Sequence, residues 1–275
     1  MSKIRSMRNH KGLYPGESLI AWPLRVVGEV TMMFLETLYW TGKAVFSLAV
    51  DTRIVITQMA RIGYDSIPII SITGFFTGAV LVAQIGFQFS NFGAESAVGG
   101  VVALALAREL APVLAAIVLA GRVGSSFAAE IGSMEVTEQV AAMQSMAVSP
   151  IDYLVVPRFL ACLIMFPILG IYTNFVGYIG GSLVAVWQVR ITLLTFKESV
   201  IDFLALNDLF GGLIKTMVFG GIVAIIGCFH GFKTTGGAEG VGLSTTSAVV
   251  TSIIMILVFN YFLSVMLFNL TGGYM

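Results

Sequence analysis

Five stretches of this chain, residues 66–89, 98–121, 159–187, 209–232 and 244–270, are long and apolar enough to cross a bilayer, which takes about 20 residues at ~1.5 Å rise each. What remains between them is too short for a soluble domain. Composition agrees: of 275 residues, 57% are hydrophobic and 11% charged, too little polar surface to coat a water-soluble globule. The expected fold class is an all-α membrane protein. Pro167 lies inside the long third stretch, where a kink or an oblique helix is expected. The formal net charge of zero, with no run of basic residues beside aromatics, argues against nucleic-acid binding. Cys162 and Cys228 sit in apolar runs and read as small buried hydrophobes.

Residues 1–21 form a basic tail with Lys3, Arg5, Arg8 and Lys11. No short apolar core and cleavage site follow directly, so the tail is expected to be retained rather than removed as a secretory signal. Residues 22–50 are apolar but carry Arg25, Glu29, Glu36 and Lys43, which project within about 40° of one another on a helix. This pattern predicts an amphipathic helix lying in the membrane interface. The alternative, a sixth span, would bury four charges in lipid unless a neighbour covered them. With the N-terminus cytoplasmic, most basic residues fall inside and only Arg190 and Lys197 fall outside, in accord with the positive-inside tendency.

Of the polar residues within the apolar stretches, Arg108, Glu109, Lys215 and Asn260 are the candidates for a substrate pathway. Counted from the outer end, Glu109 lies about 16 Å deep, Lys215 about 10 Å and Asn260 about 15 Å, so the three can meet. Glu109 is expected to pair with Lys215. Arg108 and Glu109 point about 100° apart, which makes it hard for one partner on another helix to serve both. The cluster is either a static ion pair holding helices together or a polar patch lining a substrate pathway. Gly74 and Gly78, and Gly177 and Gly181, have the small-xxx-small spacing of close helix contacts, either within one subunit or across a dimer.

The segment 122–158, between the second and third spans, is placed on the cytoplasmic side. Val136, Val140, Met143 and Ala147 recur at helical spacing, with Glu135, Glu138, Gln139 and Gln144 left for other faces. They predict one short amphipathic helix, which is either a headgroup-lying connector or a coupling helix for a soluble partner.

Three stretches in order, RELAPVLAAIVLAGRVGSSFAAEIGSMEVTEQVAAM, SPIDYLVVPR and KTTGGAEGVGLSTTSAVV, closely resemble the MlaE/YrbE permeases of ABC-type lipid transporters, including their chloroplast members. The resemblance covers most of the chain from about Gln58. It implies a permease domain over residues 51–275 with an N-terminal interfacial helix, five spans and a cytoplasmic coupling helix. It also implies a homodimer joined to a separate cytoplasmic ABC ATPase and to an Mce-domain substrate-binding protein, moving phospholipids or related membrane lipids between membranes. The implied ATPase contacts are Glu130, Glu135, Glu138 and Gln139. Family relatives often carry an aspartate where Asn260 stands, so the charge balance of this cluster departs from theirs. The implied location is a bacterial inner membrane, or a chloroplast inner envelope.

No G-x4-G-K-[ST] motif occurs, so the chain is not expected to be an enzyme or to hold a cofactor; ATP and magnesium would act through the ATPase partner. Gly236 to Gly242 read as a flexible loop rather than a phosphate cradle, and His230 as an interfacial residue rather than a metal ligand. A self-sufficient secondary transporter would use the same membrane charges but should show internal repeats, and no second copy of the Arg-Glu span is evident. An accessory scaffold would need neither mid-depth charges nor a coupling helix.

Overall fold

In the computed structural model, which describes residues 21–46 and 51–270, all regular structure is helical. The helices are α1 (Ala21–Phe46), α2 (Thr52–Asn91), α3 (Glu95–Val136), α4 (Gln139–Ser145), α5 (Ile151–Val189), α6 (Leu193–Phe203), α7 (Leu206–Phe232) and α8 (Gly237–Leu270). Five of them, α2, α3, α5, α7 and α8, are long and apolar enough to span a bilayer. Several outrun the apolar stretches. The 40 residues of α2 make a rod of about 60 Å, twice the hydrocarbon thickness. Hydropathy marks only the part of a helix that is apolar, whereas the backbone ladder continues through polar residues such as Asp65 and Glu130. Pro167 lies inside α5 without ending it.

The chain forms two compact units. Of the described residues, one contains those up to Gln58 together with Gly121–Leu160 and Val223–Ser252; the other contains Met59–Ala120, Ala161–Ile222 and those from Ile253 to Leu270.

In the first unit, α1 buries Met33 and Thr37 while leaving Met32, Leu35, Leu38 and Tyr39 exposed, so it has a protein-facing side and a second apolar side. Glu29 of its charged stripe pairs with Lys233. The basic tail with Lys3, Arg5, Arg8 and Lys11 lies outside the described residues.

The single amphipathic helix expected through Val136 and Ala147 is not what forms. Val136 ends α3; the backbone then turns at Glu138, in the left-handed region at φ 61°, before α4 begins. A second left-handed residue, Ala147 at φ 61°, follows α4. Such a turn rotates the helix axis, so Val136 and Val140 do not share a face despite their spacing. The glycine-rich stretch also differs from expectation: only Gly236 and the few residues before it are loop, and α8 starts at Gly237.

In the second unit, the two glycine pairs meet each other. A Cβ on Gly74 would stand 3.1 Å from the Thr173 carbonyl, and one on Gly78 would overlap the Gly177 backbone. Gly180 and Gly181 pack likewise on Phe75 and Val82. Both small-xxx-small motifs therefore form one seam between α2 and α5 of a single chain.

Gly99 and Gly100 at the start of α3 receive α6, a helix with no counterpart among the five apolar stretches. The Gly100 N–H donates to Ser199 Oγ at 2.9 Å, and Phe196 enters a core with Val82, Val98, Val102 and Leu106. Thr192 caps α6 by accepting from the Thr195 N–H at 3.2 Å.

Candidate functional site

The second unit holds a network of four charges from α3 and α7, completed by polar groups of α8. Lys215 is 3% exposed, and its ammonium donates to Glu109 Oε1 at 2.6 Å, the Arg108 carbonyl at 2.8 Å and Ser264 Oγ at 2.8 Å. All three ammonium protons are thereby placed, the condition under which a lysine can be buried while charged. Glu109 also accepts from Asn260 Nδ2 at 3.1 Å, and Ser264 Oγ lies 2.8 Å from Glu109 Oε1. Arg108 Nε donates to Asp208 Oδ1 at 2.7 Å. Arg108, Glu109, Asp208, Lys215, Tyr261 and Ser264 line an open cavity of about 430 Å³.

The geometry arises from local breaks in α3. Leu106 to Leu110 form a π-helical turn, in which the Ala111 N–H bonds to the Leu106 carbonyl five residues back. Such turns are uncommon and concentrate at functional sites. Pro112 follows and has no N–H to give to the Arg108 carbonyl, its i−4 acceptor. Lys215 takes that acceptor instead. One lysine thus serves Glu109 through its side chain and Arg108 through its backbone, a solution that side-chain projection alone does not suggest.

Asp208 stands seven residues before Lys215, two turns away on nearly the same face of α7. It is buried in the first turn of that helix, where its Oδ2 accepts from the Ala205 N–H at 3.1 Å. The network thus joins all four residues expected along a pathway, Arg108, Glu109, Lys215 and Asn260, and adds Asp208 and Ser264. The spacing from Asp208 to Lys215 and from Asn260 to Ser264, seven and four residues, is the signal that could have found them.

The four loop residues are divided. Glu130 is turned inward, its Oε2 accepting from Arg158 Nη2 at 2.8 Å; Arg158 is 7% exposed and also donates to the Leu154 carbonyl. Glu135 lines a small apolar recess with Met33, Val140, Gln144, Phe229 and Lys233. Glu138 and Gln139, at the left-handed turn and the start of α4, are exposed.

Residues 55–266 match the family model described as "Permease MlaE". A probable ABC transporter permease of Synechocystis is 50% identical over 81% of this chain and 85% of its own length. One from Rickettsia bellii is 42% identical over 88% and 96%, respectively. The chloroplastic Arabidopsis thaliana protein trigalactosyldiacylglycerol 1 is 39% identical over 90% of this chain and 67% of its own length.

Proposed function

The chain belongs to the MlaE permease family, and on that footing we propose that it is the membrane-spanning subunit of an ABC-type transporter that moves phospholipids or related lipids between membranes. The observation that carries this reading is the charged network at the wall of an open cavity. Ionisable residues within membrane helices are costly, and those of a transporter line the path of a polar substrate. A lipid headgroup is such a substrate, and the exposed apolar side chains along the same helices suit its acyl chains.

Work would come from a separate cytoplasmic ATPase acting on two copies of this chain, with ATP and magnesium bound by the ATPase. Of the acidic and amide residues proposed to meet it, Glu138 and Gln139 are exposed and Glu135 is half-buried, with Glu130 bracing the segment through Arg158. An Mce-domain protein would take up or deliver lipid on the far side of an inner membrane.

The test is ATP-dependent transfer of labelled phospholipid by the full chain reconstituted with its ATPase. Glu109→Gln and Lys215→Met should each impair transfer while leaving the complex assembled; normal transfer by both would remove the cavity from the mechanism. Separately, Glu135→Lys with Glu138→Lys should reduce recovery of the ATPase on the purified permease, and undiminished recovery would refute that docking assignment.

A further inference from the structure

A second recess in the second unit lies between α5 and α7, apart from the charged network. About 220 Å³ in volume, it has a buried floor that includes Pro112, Gly170, Gly212 and Thr216, and an exposed rim at Ile171 and Phe210. No charged side chain lines it. One amide does: Asn174, half-buried within a membrane-spanning helix. Among the described residues its side chain makes a single hydrogen bond, Nδ2 donating to the Gly170 carbonyl of its own helix at 3.3 Å. A second N–H and the Oδ1 acceptor are left over, and hydrocarbon offers nothing to meet them. We propose that this groove is an accessory site for a long-chain fatty acid, whose uncharged carboxyl donates its O–H to Asn174 Oδ1 and accepts the Asn174 N–H at its C=O.

The lining selects the occupant. A neighbouring α-helix, about 10–12 Å across with its side chains, is too broad for a recess of this volume, whereas a single hydrocarbon chain is not. A phospholipid head would bring charge to walls that hold no counter-ion; a neutral acid brings none. A carboxylic acid among apolar groups stays protonated, because burial disfavours its charged form. It then presents one donor and one acceptor, the complement of what Asn174 has to spare. Thr216 turns its own hydroxyl to the Gly212 and Leu213 carbonyls of α7, at 3.2 and 2.8 Å. Gly212 lines both this groove and the charged cavity. The site is thus separate from the proposed phospholipid path, yet it lies against the helix that carries Lys215, and it does not depend on what that path transports.

The experiment uses the full chain in phosphatidylcholine vesicles with palmitic acid that carries a diazirine in its chain, and photo-adducts are mapped by peptide mass spectrometry. Adducts should concentrate on Phe210 and Leu213 of the groove rather than on Ile164 and Phe175, exposed elsewhere on α5. Excess palmitic acid should displace the probe where hexadecane does not. Labelling should fall as pH rises and the probe ionises, since no cation lines the groove. Asn174→Leu removes both hydrogen bonds to the carboxyl and should cut groove labelling on the order of tenfold. Ile171→Trp should cut it by filling the rim, which keeps the idea testable if Asn174→Leu does not fold. Equal labelling of groove and other exposed positions, displacement by hexadecane as complete as by palmitic acid, or unchanged labelling in either folded variant would overturn the assignment. None of these outcomes involves phospholipid transfer, so the permease reading stands or falls separately.

Discussion

A single lysine ties three backbone and side-chain systems together, and its removal should show it. Lys215→Met leaves the Arg108 carbonyl and Glu109 without their shared donor. Loss of a buried hydrogen-bond partner costs about 1–3 kcal/mol, so thermal unfolding of the detergent-purified chain should fall measurably. Glu109→Gln combined with Lys215→Met should destabilise by less than the sum of the two single changes, because each single change strands the other partner. Additive effects would mean that the pair does not interact. This pair is legible in the sequence because its members are conspicuous charges in apolar stretches at similar depth. Asp208 is not, since it lies just outside the apolar stretch and resembles an ordinary flanking acid. Ser264 is silent for a different reason: a hydroxyl in a helix gives no hydropathy signal whether or not it is used.

At the level of helices, the glycine seam between α2 and α5 separates two kinds of glycine. Gly78 abuts the Gly177 backbone, which has no flexible end to move aside. Gly78→Leu should therefore cost about 3 kcal/mol or more, or prevent folding, as overpacking of a tight contact does. Gly42 in α1 has nothing within 4 Å of where a Cβ would lie. Gly42→Ala should stabilise its helix by roughly 0.5–1 kcal/mol. Thermal unfolding of the two variants should move in opposite directions. Spacing reveals that such glycines approach another helix; it does not say which helix, because a partner in the same chain and one in a second copy impose the same requirement. The segment after α3 teaches the complementary lesson. Its apolar residues keep a helical period, yet the left-handed Glu138 divides them between two helices.

For the molecule as a whole, the acids of the connecting segment differ in what they hold. Glu130→Gln removes the carboxylate paired with the buried Arg158. Breaking such a pair costs about 3–5 kcal/mol, so this variant should lose thermal stability before any partner is added. Glu138→Lys, at an exposed turn, should leave unfolding within about 0.5 kcal/mol of the unaltered chain. Comparing ATPase recovery at matched folding will separate a docking residue from a brace. The opposite result, a stable Glu130→Gln and an unfolded Glu138→Lys, would mean that the ion pair contributes nothing and the turn does.

By itself the sequence determined the all-helical class and, among the described residues, the count of helices long and apolar enough to span a bilayer, because an apolar run of that length is a local property that no tertiary contact can undo. It also determined that Arg108, Glu109 and Lys215 must find company, since an isolated charge within an apolar membrane helix is costly. Only the tertiary structure decided who the company is. Asp208 reaches Arg108 because a π turn and Pro112 reshape α3, and because α7 approaches closely enough for a Gly212 Cβ to collide with the Ala107 carbonyl. Such approaches depend on backbone geometry summed over distant residues, and neither period nor hydropathy encodes them.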